Sequence, residues 1–455
     1  MFNNFFLSQE KKHIEMFDLI AYSITILFLV INFLVTLINA ERVNFFITIG
    51  FLSVGIASFI SFVVDKSFVS INKIFSVFVF IFFYLAPFSQ YSQNITFWGV
   101  SSFDDSSYLI ANTTIIVFIF LFYFVYFFNR KKTNFSIQKN TMLNSNNLFF
   151  IVFLSAFSLI CATFLNEFVA DSDSTFMGWI LKIFRFLPCI SLAMIIVSIK
   201  NKSIITSTFK KNMAIFISFL TFVFTYNPFV GQMNRYFLFG GYLIIVFTIF
   251  YNFRYDSLLF IAFLLGFGTI FPIFNIFKTG GNLSDISFAD FDFFNFKFQD
   301  YDAYQMLMSS IKYLDSNGSF KFLNVLTAIF GLIPREIWSS KLLDTGKIIA
   351  DFEFASFNNL SCPLPSEFLL SYGIIGLLLF SYLFALLCRT LSKHITNNYF
   401  IFLVNLTVCG ILIIIMRGSL LSTMTFLYAQ LVAIIILYIV VKLSNKFYIF
   451  RWRKQ

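Results

Sequence analysis

The stretch from residue 399 to residue 416, YFIFLVNLTVCGILIIIM, runs without a single charged side chain and stops at Arg417. Eighteen helical residues rise about 27 Å, close to the roughly 30 Å of a bilayer's hydrocarbon core. A helix apolar on every side has no face to give to water, so the segment predicts a membrane span. Working outward, runs of the same kind recur near residues 16–38, 44–64, 74–92, 108–128, 148–169, 177–199, 213–229, 236–252, 257–277, 364–388 and 422–441. The expected fold is an all-α polytopic integral membrane protein of about twelve transmembrane helices, forming one membrane domain over residues 1–455.

Composition agrees. Hydrophobic residues make up 59% of the chain and charged ones 12%, at a mean hydropathy of +0.84, which excludes an ordinary soluble domain. The 73 phenylalanines and 20 tyrosines read as apolar filler rather than as a ligand-stacking device. The first apolar run is longer than the core of a signal peptide and no small-residue cleavage site follows it, so it is expected to remain as the first span. Four of the five cysteines fall in or at the end of apolar segments, which leaves no disulfide or metal framework. The two histidines, His13 and His394, sit in short basic stretches beside spans, so neither a histidine metal site nor a catalytic triad is expected. No cofactor is implied.

Charge asymmetry sets the orientation. Lysines and arginines crowd alternate connections, among them Lys11 and Lys12, Lys66 and Lys73, Arg130 to Lys132, Lys210 and Lys211, and Lys442 onward. The short connections on the other side hold only Arg42, Arg235 and Arg417, together with acids such as Asp104, Asp105, Asp171 and Asp173. By the positive-inside rule both termini are expected on the cytoplasmic side of the membrane. The net charge of +10 is then a matter of inner loops facing anionic lipid, and nucleic acid drops out as a partner because no folded basic domain exists to bind it.

One connection breaks the rhythm. Residues 278–363 form a long extracytoplasmic loop between the ninth and tenth spans, and a connection of that length is where function is expected. Within it Asp302 is placed to cap a surface helix over 303–314, with Tyr304, Met308 and Ile311 at helical spacing. The apolar run 320–333, too short to span, reads as a helix lying in or dipping into the interface and stopped by Pro334. Then comes Arg335-Glu336-Ile337-Trp338-Ser339-Ser340-Lys341, two cations, a carboxylate and a tryptophan at the outer surface. The pair Asp290 and Asp292 has the spacing of a metal-binding DxD motif but lacks the soluble α/β domain in which that motif works.

Arg185 stands inside the sixth span, where an arginine costs roughly 2.5–3.5 kcal/mol at mid-depth, so it is expected to face a polar cavity. The competing reading pairs it and Lys182 with an intramembrane carboxylate such as Glu167, or lets them snorkel. Arginine's planar fork makes bidentate, charge-assisted bonds to phosphate and keeps its charge. Arg185, Arg235, Arg335, Lys341 and Arg417 are therefore candidates to hold a diphosphate. Among the acids on that side, Asp300, Asp302, Glu336, Glu353 and Glu367, the last begins the tenth span.

Three ordered patches add a resemblance. They are Asn227-Pro228 with Asn234-Arg235-Tyr236; Pro334-Arg335, Trp338 and Lys341 with Thr345-Gly346; and Ser361 through Glu367 leading into Tyr372-Gly373 and Gly376. Together with the topology they resemble the Wzy-type polymerases of O-antigen and capsule repeat units, except that Leu342 stands where that family often has proline. The resemblance implies an outer-leaflet glycosyltransferase that moves a growing glycan from undecaprenyl pyrophosphate onto the next lipid-linked repeat unit, with a chain-length regulator as a further partner. The arginines would hold the diphosphate, and Glu367 or Glu336 would take the proton from the acceptor hydroxyl. An O-antigen ligase shares the donor but usually carries an outer-loop histidine, absent here; a flippase would be built of two related halves.

Overall fold

The computed structural model describes residues 2–67, 69–128, 143–170, 175–201, 204–227, 235–251, 253, 255–271, 296, 298–333, 335, 337–393 and 399–452. In chain order its helices are α1 (Phe2–Ile38), α2 (Phe45–Val64), α3 (Ile71–Ser92), α4 (Asp105–Phe127), α5 (Ser145–Ala170), α6 (Thr175–Lys200), α7 (Thr208–Thr225) and α8 (Arg235–Phe250). They continue as α9 (Asp256–Leu265), α10 (Ala303–Asn317), α11 (Leu323–Ile329), α12 (Thr345–Phe352), α13 (Leu364–Lys393), α14 (Tyr399–Arg417) and α15 (Leu420–Trp452). Among the described residues the strand pairing is confined to one two-residue parallel bridge, Leu143–Asn144 with Ile204–Ile205.

Nine of the described helices are long and apolar enough to cross a membrane, and the shorter apolar segments Phe237–Phe250 and Asp256–Thr269 accompany them. The protein is therefore a polytopic membrane protein. The remaining expected span, at α7, carries Lys210 and Lys211 in its first turn. The chain divides into two compact units: unit 1 comprises residues 1–124, 250–319 and 346–382, and unit 2 comprises residues 125–249, 320–345 and 383–455.

Unit 1 is built around α3. Its residues 71–88 are buried all round, as a helix apolar on every face must be. Phenylalanine makes that packing: Phe75 stacks on Phe122 at 3.6 Å between centroids, and Phe260 meets Phe59, Phe62 and Phe80 edge-on. The few polar side chains of α3 are answered individually. Asn72 donates to the Ser61 carbonyl at 3.1 Å, and the buried Lys73 ammonium lies 2.8 Å from Asp256 Oδ1. Both α3 and α9 contain a π turn, at Ile81–Leu85 and Gly266–Ile270. Such a turn withdraws a carbonyl from the regular ladder, and Phe267 O, inside the second one, accepts from the Tyr301 hydroxyl at 2.6 Å.

That bond begins a correction. The helix expected on the surface, α10, is buried in unit 1 from Ala303 to Ile311, and Asp302 does not cap it with its side chain. Asp302 instead accepts from Trp98 Nε1 at 3.1 Å and from Ser361 Oγ at 2.8 Å. Gln305 closes both polar groups of Phe97, accepting from its N–H at 2.7 Å and donating to its carbonyl at 3.1 Å. Tyr304 OH lies 2.9 Å from Asn112 Oδ1. The polar residues that suggested solvent are bonded inward.

Unit 2 packs α5 and α6 against each other and each of them against both α7 and α15, with α14 and α11 on α15. One close crossing is between two glycines: a Cβ on Gly410 would sit 2.8 Å from Gly240 O and 2.3 Å from Ile244 Cγ1. Small residues let backbones approach where lipid supplies no hydrophobic drive between helices. Gly241, next along, leaves the room that the buried Tyr226 ring fills. Gly410→Ala is expected to cost about 1–3 kcal/mol through overpacking, whereas Gly178→Ala, at a helical position with nothing within 4 Å, should be neutral or mildly stabilising. Thermal midpoints of the two purified variants in one detergent measure the contrast.

Candidate functional site

Six of the cations singled out by the sequence belong to unit 2. Lys182 and Arg185 lie in the first half of α6, Arg235 opens α8, Arg417 closes α14, and Arg335 and Lys341 flank the turn after α11. Counting 1.5 Å per residue from Thr175, Lys182 stands about 10 Å and Arg185 about 15 Å along the helix. Arg185 is thus near the depth at which a bilayer offers least water.

Lys182 and Arg185 are one turn apart and half-buried. Lys182 Nζ donates to Thr425 Oγ1 at 2.6 Å and lies 4.2 Å from the centroid of the Phe426 ring. Arg185 Nη2 donates to Asn166 Oδ1 at 2.8 Å, rather than to the neighbouring Glu167. Among the described residues neither cation forms an ion pair with a carboxylate. Like charges at this spacing on a helix repel, and low dielectric sharpens the repulsion. One further donor lies in the same unit: Trp179 Nε1, one turn from Lys182 on α6, is buried with no hydrogen-bond partner among the described residues. An anion is the species that would answer this set.

Arg335 and Lys341 do a different job. Arg335 is exposed, yet its two Nη atoms donate to the carbonyls of Lys341 at 2.5 Å and Leu342 at 2.8 Å. Lys341 Nζ reaches back to Gly331 O at 2.6 Å and Ile333 O at 2.9 Å. Each cation thus closes the other's end of a single loop, satisfying carbonyls that no helix takes up. Partial burial first, and then the nearby Arg335 guanidinium, push the Lys341 ammonium below the ordinary lysine range.

Both pairs hang on one stripe of α15. Leu421, Thr425 and Tyr428 follow at i, i+4 and i+7, so they share a face. Thr425 receives Lys182, Tyr428 OH donates to Ile329 O at 2.7 Å, and Leu421 lies against Gly331. The hairpin between α14 and α15 adds Ser419, whose hydroxyl donates to Asp344 Oδ2 at 2.5 Å, two residues beyond Arg417. Tyr428 is eight residues into α15, about 12 Å from its start. The end of α11 is therefore held against the third turn of α15.

Of the other sequence candidates, the Arg235 side chain and the whole of Glu336 lie outside the described residues. Asn234 and Pro228 also lie outside them. Arg417 is half-buried and engaged. Glu367 belongs to unit 1, where it is fully buried near the start of α13, its N–H bonded to Pro363 O at 3.1 Å. The glycines after it have separate tasks. Gly373 takes φ +59° at a break in α13, and a Cβ on Gly376 would lie 2.4 Å from Phe368 O. Sequence reasoning passed over Trp179, since nothing in an apolar run distinguishes an aromatic with an unanswered polar tip from one that is only filler.

Arg335→Ala should leave the Lys341 and Leu342 carbonyls without a donor and loosen the loop. Hydrogen–deuterium exchange over residues 331–345 is expected to rise while that of α15 holds; unchanged exchange would free Arg335 from this structural duty. Comparison of the chain with family models, with curated proteins and with solved structures returns no match.

Proposed function

We propose that the protein is a polymerase of lipid-linked oligosaccharide repeat units, a glycosyltransferase of the O-antigen or capsule type acting at the outer leaflet of a bacterial inner membrane. The observation that carries this reading is the Lys182–Arg185 pair, two half-buried cations one turn apart in a span with no carboxylate against them among the described residues. Charges kept at such a depth are costly unless a ligand of opposite sign completes them. A polyprenyl diphosphate arrives by the membrane and carries the matching charge.

In this reading the twelve spans include α7 and the short apolar helices α8 and α9, both termini face the cytoplasm, and residues 278–363 lie outside it. Lys182, Arg185, Arg235 and Arg417 hold the diphosphate as the glycosidic bond breaks and charge collects on its oxygens. Arg335 and Lys341 shape the loop above them, with Arg335 exposed enough to touch the ligand as well. The acceptor hydroxyl loses its proton to a carboxylate. Glu336, in the same unit as the cations, is the first to test, and Glu367 the second. The carbohydrate donor is itself lipid-linked, so no nucleotide sugar is needed, and a chain-length regulator is a natural partner.

The test is the ladder of surface glycan in a strain deleted for the gene and complemented with variants. Wild type should restore long chains, while Arg185→Ala and Lys182→Met should lose polymer by about ten- to a hundredfold, the worth of one charge-assisted bond. Arg185→Lys should rescue only partly, since a point charge does not replace the fork. Long chains in the deletion strain would sink the proposal. Disappearance of all glycan with accumulation of lipid-linked units would turn it toward a flippase or a ligase.

A further inference from the structure

Unit 1 carries a second polar site at the end where α10 is buried. Residues 93–104, between α3 and α4, are clamped from beneath by the two bonds of Gln305 to Phe97 and by the bond from Trp98 to Asp302. Three of the non-glycine residues with left-handed backbone lie here or against it: Asn94 at φ +50°, Trp98 at +64° and Phe354 at +52°. Such conformations persist only where the surroundings impose them. Ser356 N–H donates to Trp98 O at 2.8 Å, and the Phe357 ring stacks on Trp98 at 5.4 Å between centroids. Phe354 is 93% exposed and Phe357 42%.

On the same loop opens a groove of about 510 Å³, lined by Glu41, Arg42, Asn94, Ser102, Phe103 and Asp104. That is within the roughly 300–1,000 Å³ of small-ligand sites. Its floor is rigid. Arg42 donates to Asp105 Oδ1 through both Nε and Nη2, to Phe103 O at 2.8 Å and to Asn94 Oδ1 at 3.3 Å, with its guanidinium beside the Tyr91 and Tyr108 rings. Hydrogen bonds from Ser107 and Ser106 hold the Asp104 carboxyl down to about 2, so it remains an acceptor at any ordinary pH. Asn94 is four residues from Trp98, so groove and ring stack are at most about 14 Å apart along the chain.

We propose that this surface binds the oligosaccharide of the substrate, the Trp98–Phe357 stack and Phe354 meeting the flat faces of sugar rings and the groove's carboxylates and amide meeting their hydroxyls. The inference rests on the polymerase reading for the identity of the glycan, but its geometry belongs to unit 1 alone. Fixed planar polar groups beside exposed rings match a ligand that alternates apolar faces with dense hydroxyls. Membrane anchoring fits less well. An interfacial tryptophan keeps its N–H for headgroups and water, whereas that of Trp98 is already bonded to Asp302.

The experiment takes the full chain in nanodiscs and the oligosaccharide released by mild acid from the source strain's lipid-linked pool, with binding followed by saturation-transfer NMR. Wild type should bind saturably. Phe357→Ala and Asn94→Ala, which leave the Trp98–Asp302 bond in place, should each weaken binding by up to about tenfold. Arg185→Ala should bind the released glycan as wild type does while failing to make polymer. Wild-type affinity in both unit 1 variants, or no binding by the wild type, overturns the proposal. Binding that depends on Phe357, in a protein whose deletion leaves polymer intact, would keep the glycan surface and discard the polymerase.

Discussion

A lipid solvent offers no hydrogen bond, and each polar group of this chain has to be answered by the protein, by the interface or by a ligand. That constraint explains more of the structure than apolar packing does. Apolar side chains gain little by choosing one another over lipid, so their positions are tolerant, as the many exposed leucines and phenylalanines of α1, α2 and α5 show. Polar groups have no such freedom. Lys73 meets Asp256, Gln430 donates to the Thr407 carbonyl, and Tyr399 donates to Met194 O. Each pairing fixes one helix against another at a definite height.

The same rule separates two kinds of cation in unit 2. Arg335 and Lys341 exhaust several of their donors on carbonyls of their own loop, and the loop's shape follows from them. Lys182 and Arg185 each have one neutral partner, Thr425 Oγ1 and Asn166 Oδ1, which supports position but cancels no charge. A residue type in a motif does not reveal which of these duties it performs. The resemblance placed Arg335 and Arg185 in one role, and the geometry gives Arg335 at least one more.

What was legible in the sequence follows from the length scale of each signal. Helices such as α14 and α15 are visible because a bilayer sets a length and permits no charge over it. That a short helix would form in the apolar run 320–333 was legible too, and α11 covers Leu323–Ile329 of it. The burial of α10 was not. Its Gln305, Ser309 and Ser310 are the residues a solvent-facing helix would carry, yet all three are buried, Gln305 against its long-range partner Phe97 and Ser310 on the Met306 carbonyl of its own helix. Span counting blurred where α9 passes into its π turn and where α13 breaks at Gly373, because hydropathy does not register a change in hydrogen-bond pattern.

The glycines make the point at atomic scale. Gly240 and Gly410 are separated by 170 positions of sequence, and each is unremarkable in its own apolar run. Their meaning lies in their meeting, where neither helix could come as close with a Cβ between them. Gly373 is different, since its positive φ is a local demand that the chain would make in any surroundings. Local demands are written into a sequence at the residue that bears them, while contact demands are divided between two residues and can be read only once the fold has brought them together. The charged pair on α6 belongs to neither class: its partners Thr425 Oγ1 and Asn166 Oδ1 are neutral, and in the function proposed above the opposite charge comes with the substrate.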